Sequence, residues 1–136
     1  MRMSAAPNHP EEDKISYSFP KEERLRSKKL IAELFRKGSS FNMYPLRFVY
    51  LKSDSIATHF PQILISVSKK YFKKAVDRNR IKRQIREVYR LNKHQLLLSG
   101  TCKIQVLGII YIGKEKTSFQ LIQKKLNSGL ERSLTN

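Results

Sequence analysis

Residues 78–90 read RNRIKRQIREVYR, a run with six Arg or Lys among thirteen residues that still spaces its apolar residues as a helix does. Such a segment is asked to be core and charged surface at once, so it must lie on a larger apolar body while its cations stay in water. Winding residues 74–93 at about 100° per residue places Ile81, Ile85, Val88 and Tyr89 within an arc of roughly 100°, a normal core-facing stripe. Asn79, Lys82, Arg83, Arg86, Arg90 and Lys93 fall in a second arc centred roughly 120° away. Arg80 points to the far flank, and Arg78 sits at the edge of the apolar stripe with only its head group reaching solvent.

The window 69–93 holds eleven of the chain's 28 Lys plus Arg and two of its 11 acids, so +9 of the net +17 lies there. Glu87 can pair with Arg83 or Arg90, and Asp77 with Lys73 or Arg80, which leaves most of the cations without a local partner. Attraction of a polyanion is the plainest use of such a surface, with nucleic acid ahead of an acidic membrane. Composition alone leaves RNA, DNA and membrane open. No apolar stretch approaches the roughly 18 residues of a membrane span, and the opening residues lack the apolar region of a signal peptide. The single Cys102 excludes an intramolecular disulfide, and no Cys/His cluster has zinc-site spacing. These features suit a cytoplasmic protein without a structural metal, in which Cys102 is a core residue.

Residues 1–22, with Pro7, Pro10 and Pro20 and no sustained apolar period, read as a flexible N-terminal extension, leaving 23–136 for a single domain. Ser27 can cap a short first helix whose apolar face is Leu30, Ile31, Leu34 and Phe35 and which Gly38 ends. Residues 46–51 alternate as a strand after Pro45, and 62–68 form a second strand, with a hairpin of the two expected. A small extra strand is expected near Phe41. The nearly continuous apolar run 102–112 suits a central strand covered on both faces. The basic helix lies between these β segments. Thr117 and Gln120 can form the capping box of a last helix bearing Phe119, Ile122, Leu126 and Leu130, although Gly129 weakens its last turn.

Phe48 and Tyr50 share one strand face, and aromatic rings beside a basic groove can stack unpaired bases, which favours RNA over DNA. Core burial is the competing reading for Phe48 and Phe35, while the Tyr50 hydroxyl tolerates a wet cleft. Phosphodiester cleavage by side chains needs an acid and a base, or carboxylates that hold a metal. His9, His59 and His94 have no sequence-local partner that marks them as catalytic, and the acids are scattered singly through the folded part. No catalytic residue and no metal ligand are therefore assigned to this chain.

The ordered set Ser66-Val67-Ser68-Lys69-Lys70, Ala75-Val76, Arg78-Asn79-Arg80-Ile81-Lys82-Arg83 and Ile85-Arg86 resembles the bacterial ribonuclease P protein subunit. A weaker likeness extends to Arg24-Leu25, the first helix ending at Phe35 and Gly38, the strand at Phe48 to Tyr50, and the late strand and helix. The resemblance implies an α/β (α+β) sandwich of order α-β-β-α-β-α, like the second domain of ribosomal protein S5. It also implies a left-handed βαβ crossover through the basic helix, where general chirality rules favour a right-handed one. The implied activity is that of ribonuclease P, an endonuclease that removes the 5′ leader of precursor tRNA. In that family the catalytic centre belongs to an RNA, with Mg2+ expected for the holoenzyme and a 1:1 protein–RNA complex. Carried across by position, Ser66, Lys69, Lys70, Arg78, Asn79, Arg80, Lys82, Arg83 and Arg86 face RNA, joined by Arg90 from the ridge. Ile31, Phe35, Phe48 and Tyr50 are the implied leader cleft between first helix and sheet, with Ile31 replacing a commonly aromatic residue. Lys73-Lys74 replace a common Gly-Asn. From charge and element pattern alone, the alternative is a non-catalytic ribosomal-type or chaperone-like RNA-binding protein.

Overall fold

A computed structural model describes residues 20–56 and 59–135. In chain order the elements are α1 (Lys28–Lys37), β1 (Ser39–Met43), β2 (Leu46–Lys52), β3 (Gln62–Val67), α2 (Ala75–Asn92), α3 (His94–Leu98), β4 (Ile104–Tyr111) and α4 (Phe119–Thr135). A 3-10 turn at Lys21–Glu23 precedes them, so residues expected in the N-terminal extension take part in the fold. Residues 1–19 of that extension lie outside the described residues. The strand near Phe41 is present as β1, whereas α3 carries no sequence signal that set it apart from the end of the basic helix.

The four strands form one sheet in the order β1-β2-β4-β3, with β3 and β4 parallel and the other neighbours antiparallel. The expected hairpin of residues 46–51 with 62–68 does not form. β4 inserts between them, because a strand apolar on both faces belongs in the interior, and the long polar connection after β2 lets β3 pass to the far edge. The hairpin is instead β1-β2, turned at Tyr44-Pro45.

Strand alternation gives the sheet two differently covered faces. On one, Phe41, Phe48, Tyr50, Ile63, Val67, Leu107, Ile109 and Tyr111 pack against Ile81, Ile85, Val88 and Tyr89 of α2 and Ile122, Leu126 and Leu130 of α4. On the other, α1 covers a smaller cluster of Leu34, Val49 and Val106 together with Leu25 from the segment before it, with Leu30, Ile31, Leu51, Leu64 and Ile110 partly buried around it. Ser27 caps α1 by accepting a hydrogen bond from the Leu30 N–H at 3.3 Å. Gly108 lets α1 come close, since a Cβ there would lie 3.1 Å from Leu34 Cδ2.

The last helix starts one residue later than the expected capping box requires. Ser118, not Thr117, accepts from the Leu121 N–H at 3.2 Å, and the Thr117 hydroxyl instead meets the Tyr111 hydroxyl. Gly129 sits within α4 because the Phe48 ring occupies the space that a Cβ would need. Gly129→Ala should gain helix propensity but lose more through overpacking, a net destabilisation of about 1–2 kcal/mol. Chemical denaturation checks this, and Phe48→Leu in the Gly129→Ala background should recover part of the loss.

Candidate RNA-binding site

The strand-end motif and the first turns of α2 are built as one unit. Phe72 is buried against the Tyr111 ring, with centroids 5.8 Å apart, and so anchors the turn between β3 and α2. The Arg78 guanidinium donates to the Phe72 carbonyl at 2.7 Å and the Lys73 carbonyl at 2.8 Å, clamping that turn from within the helix. Arg78 therefore commits one terminal nitrogen, Nη1, to the backbone of the turn. Lys69, Lys70, Lys73 and Lys74 stand exposed around the turn, and Ser66 is half-buried at the end of β3.

Along α2, Asn79, Arg80 and Arg83 are exposed, while Lys82, Arg86 and Arg90 are half-buried. Lys82 and Arg86 line a pocket of about 190 Å³ with Arg24, Leu25 and Ile63 to Ile65 at the β3 edge. Lys93 departs from the expected ridge: it is 1 % exposed, ion-paired with Glu23 at 2.8 Å and 4.3 Å from the Phe60 ring centroid. The ridge runs into the chain's own N-terminal segment at this point, and a carboxylate there holds its last cation.

Both acids of α2 are engaged. A hydrogen bond from Lys116 holds the Asp77 carboxyl below its ordinary value, and one from Arg90 does the same for Glu87 while raising Arg90. The Asp77 partner is thus Lys116 at 2.9 Å, from the β4–α4 connection, rather than Lys73 or Arg80. Depressed carboxylates contribute fully above their ordinary value and lose the contribution as pH falls through the lower folded value, so both pairs are intact at neutral pH. Among the described residues no carboxylate lies within ion-pair distance of Lys82, Arg83 or Arg86. No three His, Cys, Asp or Glu side chains gather as a metal site among the described residues.

The expected leader cleft needs correction in two of its four positions. Phe48 is fully buried and Tyr50 is 6 % exposed, both on the sheet face covered by α2 and α4, opposite α1. Phe41 stacks on Phe48 and meets Tyr50 edge-on, so both rings are core. Ile31 is partly buried at the α1 cluster, and Phe35, one turn later on α1, is 53 % exposed. The opposite parity of β2 is what faces α1: Val49 and Leu51 pack into its cluster, and alternation puts Arg47 beside them. Arg47 pairs in register with Ile110, and Ile110 with Ser66, forming a row across the incompletely covered face. Sequence reasoning missed Arg47, Leu51, Leu64 and Ile110. The available signal was Arg47 itself, since a charge on one parity marks the strand face that remains partly open.

The Ribonuclease P family profile matches residues 19–133. This chain belongs to the ribonuclease P protein family. The ribonuclease P protein component of Porphyromonas gingivalis is 34 % identical over 123 residues, covering 89 % of this chain and 90 % of the relative. That of Chlorobium phaeobacteroides is 38 % identical over 122 residues, covering 81 % and 84 %. Among solved structures, the RNase P protein of Thermotoga maritima superposes with a TM-score of 0.65 at 27 % identity, over 81 % of this chain and 96 % of its own. The Staphylococcus aureus RNase P protein gives 0.65 at 25 % identity, over 82 % and 94 %. The mixed α+β fold of the family is thus present over most of the chain.

Because Arg78 clamps two carbonyls while Arg83 touches none, the two should separate under mutation. Arg78→Ala should lower unfolding stability by about 1.5–3 kcal/mol, as expected for hydrogen bonds to a charged group. Arg83→Ala should leave the denaturation midpoint essentially unchanged.

Proposed function

We propose that this chain is the protein subunit of ribonuclease P, binding the catalytic RNA and the 5′ leader of precursor tRNA to promote endonucleolytic removal of the leader. In this reading the RNA supplies the catalytic centre, Mg2+ serves the holoenzyme, and one protein binds one RNA in the cytoplasm. No helix among the described residues is long and apolar enough to cross a membrane.

The observation that carries the reading is the junction of two surfaces. The cation flank of α2 meets the half-open sheet face at Leu64, which lines the Lys82–Arg86 pocket and also packs against the α1 cluster. A single strand laid along this face has apolar floor from Leu51, Leu64 and Ile110, and cations at its margin for phosphates. Phe35 is the exposed aromatic on α1 that can stack on an unpaired base. Lys69 and Lys70, with Arg80 and Arg83, offer point charges and planar donors to the larger RNA.

Reconstitution with a bacterial ribonuclease P RNA at low magnesium should increase cleavage of precursor tRNA over RNA alone, and no gain would overturn the proposal. A non-catalytic RNA binder would bind leader-bearing and mature tRNA equally. Arg83→Ala should weaken binding to all RNAs alike and reduce the salt slope by about one. Phe35→Ala should reduce the preference for leader-bearing tRNA without lowering stability, whereas Tyr50→Ala should destabilise the fold by about 3 kcal/mol or more.

A further inference from the structure

Tyr71 stands outside every expectation drawn from the sequence, and its surroundings are unusual for a surface tyrosine. The ring is 39 % exposed between two basic loops. Lys70 Nζ lies 5.6 Å from its centroid, and Lys114 Nζ approaches from the β4–α4 connection at 5.8 Å. The backbone beneath the ring is fixed rather than loose. Phe72, the next residue, is buried against Tyr111, and Arg78 holds the Phe72 and Lys73 carbonyls. The facing loop is tied as well, by the Lys116–Asp77 ion pair and by the Tyr111 hydroxyl donating to the Glu115 carbonyl.

An exposed aromatic ring on a pinned turn loses little freedom when a flat group stacks on it, and nearby ammonium groups can take the phosphates of that same strand. Core packing does not account for the ring, since Phe72 already fills the adjacent core position. A purely solvated lysine surface does not require an aromatic ring at its centre.

We propose that Tyr71 is a stacking platform for one unpaired RNA base, with Lys70 and Lys114 contacting the flanking phosphates, at a contact distinct from the sheet face beside α1. The assignment rests on the RNA-binding reading above, but not on leader recognition.

The chain contains no Trp, so Tyr71→Trp introduces a single indole whose emission reports stacking directly. Single-stranded RNA should quench that emission, and a fully paired RNA duplex should not. In binding to ribonuclease P RNA, Tyr71→Ala should lose about tenfold in affinity with an unchanged salt slope, within the range for one stacked base. Tyr71→Phe should bind as the parent does, and Lys70→Ala or Lys114→Ala should each lower the salt slope by about one. Unquenched emission at saturating RNA, or parental affinity in Tyr71→Ala, overturns the platform. A hydroxyl contact in place of stacking would show as equal losses in Tyr71→Phe and Tyr71→Ala, and also overturns it. If reconstitution gives no gain in precursor cleavage while single-stranded RNA still quenches, the ribonuclease P reading fails and the platform stands.

Discussion

Burial of Ile81, Ile85, Val88 and Tyr89 against the sheet is the interaction on which the rest of the structure depends. At roughly 1.5–3 kcal/mol for each large apolar side chain taken from water, this stripe outweighs repulsion among cations that lie in high dielectric and are screened by salt. It also sets the rotation of α2 about its axis. With the stripe fixed downward, Arg80 and Arg83 must face solvent, and Lys82 and Arg86 must face the β3 edge. The direction of the α2 cations is thus a by-product of core packing, and a change at Ile85 would misdirect arginines that it never touches.

The two faces of the sheet divide the work by how completely each is covered. Two long helices seal one face, where Gly129 lets α4 settle over Phe48. Among the described residues, one short helix and Leu25 cover the other face, and Gly108 brings Leu34 down onto its centre while Leu51, Leu64 and Ile110 stay only partly buried around it. A sheet sealed equally on both sides would leave no apolar floor open. The partial cover beside α1 leaves apolar floor and backbone order in place for a ligand to use.

Much of this was legible in the chain itself. The helical spacing of 78–90 placed the core stripe correctly, and the unbroken apolar run at 102–112 marked the central strand. Alternation in LRFVYL correctly divided β2 into two sets, but no local rule says which set faces which layer; that depends on α4, whose Gly129 meets Phe48 from some eighty residues away. Lys93 was misplaced for a related reason. Its angle on the helix is that of the cation ridge, yet the segment that covers it comes from the start of the chain. For Arg78 the sequence records a charge at the edge of the apolar stripe, and not the two carbonyls that it holds.

The sheet order has a consequence for synthesis. β2 and β3 do not pair with each other, and each waits for β4, which follows the whole basic helix in the chain. As the chain leaves the ribosome, only the β1-β2 hairpin has its strand partner within reach. The window with its excess of nine positive charges therefore emerges before the sheet that will orient it, beside the ribosome's own RNA. Until residues 104–111 arrive, the sheet face that receives Ile81, Ile85, Val88 and Tyr89 is incomplete, so the cations of that segment take their final directions only with the insertion of the central strand.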